Sequence, residues 1–137
     1  MKSNSKLCLS LHGELYVVDL SDIMCFEADD HYTHVFTSRG NSFMVPFSLA
    51  RIEEKIKAKH CDNKNLLRLG RRYIININSI YHVNAVKQTV SLADNHGKVM
   101  TLSLSKTVLR MLMEMIKAND EGVVEYEPEQ DSDGDIL

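Results

Sequence analysis

The feature that most constrains this fold is an alternation of apolar and polar residues with a period of two, interrupted repeatedly by short turn signals. Leu7, Leu9 and Leu11 begin the pattern. Because successive side chains of a β-strand point to opposite faces, such alternation indicates extended segments with one buried face. Residues 12–14 and 39–41 each contain a glycine and predict tight hairpin turns between such segments. We therefore expect a mostly β protein.

Short strands account for most of the expected structure. No heptad pattern and no repeat of solenoid length accompanies them, so we expect one compact β domain. The predicted strands are residues 7–11, 15–18, 23–28, 31–37, 43–45, 66–69, 73–77, 80–83, 89–92 and 99–104.

Helical spacing occurs twice, which predicts two short helices beside the strands. Leu49, Ile52 and Ile56 recur three and four residues apart, and Ser48 in front of them is suited to cap the first turn. Ser105 can cap a second helix in the same way. The residues of the second helix that are predicted to face the core are Val108, Leu109, Leu112 and Ile116.

The charge is distributed unevenly along the chain. A formal net charge of −3 is unusual for a nucleic-acid-binding protein, but residues 120–137 contain eight of the 19 acidic residues and no Lys, Arg or His. Residues 1–119 hold all 16 basic residues against the other 11 acidic ones, which gives +5. We therefore predict a basic domain over residues 1–119 and an acidic, disordered tail over residues 120–137.

Motifs for catalysis, metals or membranes are missing from the sequence. His31 and His34 are the closest histidine pair, but three residues apart on a strand they point to opposite faces. Zinc-ligand spacing, nucleophile elbows and phosphate-binding glycine loops are also missing. No run of apolar residues is long enough to span a bilayer. We expect a cytoplasmic protein with no enzymatic activity, metal or cofactor.

A cluster of arginines precedes the strand predicted over residues 73–77. Arg68, Arg71 and Arg72 surround Gly70, whose flexibility suits a turn. Arginine presents a planar, permanently charged set of donors that matches phosphates and guanine edges. The cluster therefore favours nucleic-acid binding, and the alternative is a solvated loop without a specific role. Lys106, at the start of the second helix, is also consistent with a bound anion.

Four blocks of sequence, in this order and spacing, resemble the LytTR family of bacterial DNA-binding domains. They are residues 23–32, 48–49, 68–80 and 102–106, within a similarity that covers about residues 6–117. The resemblance implies an elongated arrangement of packed β-sheets. It also implies that loops, rather than a recognition helix, enter successive major grooves of double-stranded DNA.

The resemblance also assigns roles at the proposed DNA surface. It implies that His31 or Tyr32, Arg71 and Lys106 contact bases, while Arg68 and Arg72 contact phosphates.

Other positions of the family pattern have supporting roles or depart from it. The resemblance implies that Glu27 orders a loop or pairs with a basic residue, and that Tyr73, Ile75 and Asn76 serve the core and its hydrogen bonds. Gly70 replaces the usual histidine, and Arg72 replaces the usual serine. We expect these changes to alter sequence preference while phosphate binding is kept.

The function predicted from these observations is sequence-specific regulation of transcription through double-stranded DNA. The chain has no room for the receiver domain found in familiar family members, so we expect a standalone module or a fragment. The alternative is a protein-interaction regulator, a co-regulator or anti-activator with little or no DNA binding. Its partner would be a second copy or a related transcription factor.

Overall fold

The computed structural model describes residues 6–59, 65–120 and 122–124. It confirms a mostly β architecture with two helices. The strands are β1 Lys6–Leu11, β2 Glu14–Asp19, β3 Ile23–Asp29, β4 Tyr32–Thr37, β5 Ser42–Val45, β6 Leu66–Leu69, β7 Tyr73–Asn76, β8 Ile80–Asn84, β9 Thr89–Ala93 and β10 Val99–Ser103. The helices are α1 Leu49–Ala58 and α2 Lys106–Ala118.

The described residues form three antiparallel sheets. The central one has five strands in the order β5-β4-β3-β7-β6, while β1 and β2 form a hairpin and β10-β9-β8 form a third sheet. Within the central sheet, β3 pairs with both β4 and β7. This pairing places β3 and β7, which are distant in the sequence, side by side at the middle of the sheet.

Two hydrophobic cores lie on opposite faces of the central sheet. Alternation along β3 explains this, because neighbouring residues such as Cys25 and Phe26 are both fully buried but belong to different cores. The Phe26 core packs against the β1–β2 hairpin and α1. The Cys25 core packs against the three-stranded sheet and α2. The central sheet is therefore the middle layer of three.

Both predicted helix caps are confirmed. The Ser48 hydroxyl accepts a hydrogen bond from the Arg51 amide at 3.3 Å, and the Ser105 hydroxyl accepts one from the Val108 amide at 3.2 Å. Leu49, Ile52 and Ile56 are buried as their spacing predicts. In α2, Leu109 and Leu112 are buried, while Val108 and Ile116 pack partly buried against the same core.

Several boundaries differ from the sequence prediction. His31 lies in the turn before β4 rather than in the strand, because the preceding Asp30 adopts a left-handed φ of 60°. Ile77 leaves β7 and begins a 3-10 turn, since the Asn76 side chain accepts a hydrogen bond from the Asn78 amide. The predicted tail, apart from residues 120 and 122–124, lies outside the described residues.

Candidate nucleic-acid interface

Two hairpin turns share one end of the central sheet. The first joins β3 to β4 and contains His31, and the second, residues 70–72, joins β6 to β7 and is called the arginine turn below. The two turns are adjacent because β3 pairs antiparallel with β7 and the Ala28 amide donates to the Arg72 carbonyl at 2.7 Å. The structure therefore brings together residues that lie about 40 positions apart in the sequence.

Gly70 gives the arginine turn its shape. Its φ of +67° lies in the left-handed region that side chains disfavour. No heavy atom lies within 4 Å of the position that a Cβ would occupy, so the space beside it is open. The glycine is thus used for backbone conformation and not for close packing.

Arg71 and Arg72 are both exposed but differ in how they are held. The Arg72 guanidinium donates to Glu27 at 2.8 Å and lies 5.2 Å from the centre of the Tyr73 ring. This pair confirms the prediction that Glu27 engages a basic residue. The Arg71 side chain makes no ion pair with any other described residue. Arg71 is therefore free to reach a ligand, whereas Arg72 is oriented before any ligand arrives.

The residues beneath the arginine turn form part of the core. Tyr73 and Ile75 are buried, and the Asn76 side-chain amide donates to the Ile23 carbonyl at 2.9 Å. Burial raises the pKa of the Tyr73 phenol above its ordinary value, an effect that the neighbouring Arg72 charge partly opposes. The ring remains neutral at physiological pH and supports the turn by packing.

Arg68 is held more firmly than the other two arginines. Its guanidinium donates to Glu53 of α1 at 2.6 Å and to the carbonyls of Gly70 and Arg71 at 3.0 and 3.3 Å. Only 27% of its side chain is exposed, compared with 63% for Arg72. The structure thus places Arg68 behind the turn, rather than on the outer surface where its predicted role as a phosphate ligand would put it.

His31 and Tyr32 occupy the neighbouring β3–β4 turn. The His31 side chain is 90% exposed, and its Nε2 atom lies 3.8 Å from a carboxylate oxygen of Asp30. Tyr32 is half exposed at the start of β4. Both side chains are accessible at the same sheet end as the arginine turn.

Lys106 is the first residue of α2, which follows the third sheet. The β9–β10 turn lies at the opposite end of the molecule, because the Asn95 amide donates to the Ser38 carbonyl in the β4–β5 turn at 2.7 Å. The β9–β10 hairpin runs away from that turn, and α2 starts soon after β10 ends. Leu104 and Val108, on either side of Lys106, pack in the core that contains Tyr73.

Comparisons with known proteins identify the family of this domain. The profile of the LytTr DNA-binding domain family matches residues 13–117. The chain belongs to this family. The LytTr family consists of DNA-binding domains.

Two similar proteins show how far the likeness extends. The CO-responsive transcriptional regulator RcoM of Rhodospirillum rubrum is 34% identical over 86 residues, which are 63% of this chain and 33% of that protein. The chain thus spans about a third of the length of this relative. A solved LytTr domain, from a Bacillus cereus protein described as a methyl-accepting/DNA response regulator, shares the fold with a TM-score of 0.56. It is 20% identical, and the match covers 85% of this chain and 98% of that one.

Other kinds of site find no support in the part of the LytTr chain that the structure describes. No group of three or more His, Cys, Asp or Glu residues there is arranged to hold a metal ion. The described helices include none that is long and apolar enough to cross a membrane.

One participant in the site was missed by the sequence analysis. Glu53 is not among the residues to which the sequence assigned a role, yet its carboxylate contacts Arg68, 15 residues away. The helical spacing indicates which face of α1 is polar, but the pairing depends on how α1 packs against the sheet. An acidic residue on a helix next to a basic turn was the only available signal.

Proposed function

We propose that this LytTr domain is a sequence-specific regulator of transcription that binds double-stranded DNA through the loops at one end of its central sheet. The observation that supports this most is the adjacency of two exposed turns, one carrying Arg71 and Arg72 and the other carrying His31. They are the arginine turn and the β3–β4 turn, which the pairing of β3 with β7 holds side by side. A role on DNA also implies a cytoplasmic protein.

The spacing of the two turns suits a DNA groove. Their midpoints are separated by two strand spacings, or about 10 Å. The major groove of B-DNA is about 12 Å wide, so side chains from both turns can approach base edges together. We expect Lys106, at the start of α2, to extend the same surface.

Separate roles follow from how each side chain is held. Arg71, which is exposed and has no ionic partner in the described part of the chain, is the candidate for bidentate contact with guanine. Arg72, held by Glu27 and Tyr73, is suited to a phosphate at a fixed position. His31, Tyr32 and Lys106 are the further candidates for base contacts.

Selection of binding sites by the full chain from a pool of random duplexes tests this proposal. We expect enrichment of a defined motif, and binding to it that is about a thousandfold tighter than to a shuffled duplex and weakens steeply with salt. Recovery of no motif, with equal binding to every duplex, would refute sequence-specific recognition. Absence of binding to any duplex would favour the protein-interaction alternative.

A further inference from the structure

We propose that Arg68 and Glu53 form a staple that positions the arginine turn, so that Arg68 acts as a positioning residue and not as a phosphate ligand. This inference rests on the proposed function, because the turn being positioned is the one that we assign to DNA. It makes α1, which lies outside the loops that we propose to face DNA, part of the DNA-binding site.

The geometry of Arg68 supports a positioning role. Three of its nitrogens are occupied at once, by the Gly70 carbonyl, the Arg71 carbonyl and the Glu53 carboxylate. The two carbonyls belong to the residues that shape and present the turn. A guanidinium has a planar, rigid set of donors, so binding both carbonyls fixes the path of the backbone between them.

Glu53 gives the staple a rigid anchor. It lies in α1, whose neighbouring residues Ile52 and Ile56 are buried in the core beneath the helix. The Glu53 side chain is itself only 27% exposed. Its second oxygen lies 3.5 Å from the ammonium of Lys57, which is 74% exposed. One carboxylate therefore pairs with a basic residue at the turn and with another on the outer face of the helix.

Arg68 is a poor candidate for direct contact with phosphate. To turn outward, it would have to leave a partly buried carboxylate and two carbonyls that then lose a charged donor. Arg71 lies within the same segment and would lose no such ion pair by contacting DNA. Direct contact therefore falls to Arg71, while Arg68 determines where Arg71 points.

The direction in which one substitution changes DNA affinity distinguishes a positioning role of Arg68 from a role as phosphate ligand. Glu53→Ala removes a negative charge close to the DNA surface. If Glu53 only competes with phosphate for Arg68, the variant binds the selected duplex more tightly. If the staple positions the turn, binding weakens about tenfold even though repulsion is reduced. We expect the weaker binding, with an unchanged slope of log affinity against log salt, since no phosphate contact is lost.

Two matched variants complete the binding experiment. Lys57→Ala removes the other partner of Glu53 and should leave specific affinity within about twofold, as is usual for an exposed pair. Arg68→Lys keeps the charge but loses the planar set of donors, so we expect it to resemble Glu53→Ala. Wild-type affinity in Arg68→Lys, or a salt slope lowered by about one ion in Arg68→Ala, would overturn the inference.

A readout without DNA separates failure of the staple from failure of the proposed function. Trypsin cleaves after Arg71 and Arg72, and cleavage in a native protein reports local opening. We expect faster cleavage at these sites in Glu53→Ala and Arg68→Lys, with cleavage after Arg110 in α2 unchanged and thermal unfolding still cooperative. Unchanged cleavage after Arg71 and Arg72 in both variants would refute the staple even if no duplex is bound.

Discussion

Both ends of the central sheet carry arginine and glycine, but these residues make different contacts at the two ends. At the end with the β4–β5 turn, Arg39 is paired with Asp22, and the turn is bonded to the β9–β10 turn through Asn95 and Ser38. At the other end, the arginine turn presents Arg71 without an ionic partner among the described residues. One end is closed by contacts within the protein, and the other leaves Arg71 available.

Glycines show the same contrast at the two ends. A Cβ on Gly40 would lie 3.2 Å from His96, whereas a Cβ on Gly70 would meet no heavy atom within 4 Å. The first glycine permits two turns to pack together, and the second permits a turn to protrude. The positions of charged and small residues along the sequence do not by themselves reveal this difference. It depends on what lies opposite each turn.

Among the substitutions that test this difference between the two ends, the largest expected effect is on DNA affinity. Arg71→Ala removes the free arginine and should cost about 1–3 kcal/mol of binding to the selected duplex while relaxing specificity. Arg39→Ala removes the same charge from the closed end and should leave specific binding within about twofold. Mobility shifts with selected and shuffled duplexes measure both. Equal losses on the two duplexes for Arg71→Ala would contradict its assignment to bases.

The next effect is on folding stability and concerns the two glycines. Gly40→Ala combines a strained left-handed backbone, with φ at 100°, and a tight contact with His96, so we expect a loss of about 2–3 kcal/mol in the free energy of unfolding. Gly70→Ala has the strain without the contact and should cost about 1 kcal/mol. Urea titration followed by circular dichroism compares the two.

Gly97 is the control for this pair. It lies in the turn that Gly40 contacts and has a φ of +83°, but the space around it is open. Gly97→Ala should therefore cost about as much as Gly70→Ala. If all three alanine variants lose the same stability, the close approach at Gly40 contributes nothing and the glycine contrast between the two ends fails.

Much of this fold could be predicted from the sequence because its signals are local. Alternation at Leu7 and Leu9 identifies a strand, and Ser48 and Ser105 identify two helix starts, since capping involves residues three positions apart. The pairing of Glu27 with a basic residue was likewise anticipated from the family pattern. These features need little knowledge of tertiary structure.

The roles of residues that depend on distant neighbours could not be predicted in this way. Arg68, Arg71 and Arg72 are equivalent as a cluster of charges, and only the packing of α1 places Glu53 behind the first of them. In the same way, the ion pair between Arg39 and Asp22 joins two turns that are 17 positions apart. The sequence indicates that a basic turn is present, and tertiary contacts determine which arginine is available.

The smallest expected effect lies at the closed end and depends on pH. Asp94 accepts hydrogen bonds from the amides of Lys98 and His96, and these bonds lower the pKa of its carboxyl below the ordinary 3.8. A lowered folded-state pKa means that the ionised carboxylate stabilises the fold above the unfolded-state pKa, and that this stabilisation is lost as pH falls through the folded-state value.

Asp94→Asn keeps an acceptor oxygen but cannot titrate. Urea titrations across pH should therefore show wild type more stable than Asp94→Asn by a constant margin above about pH 5, with the margin shrinking below 3.8. A margin that does not change with pH would show that hydrogen-bond geometry, and not charge, closes this end, in which case the two ends differ only in what their side chains contact.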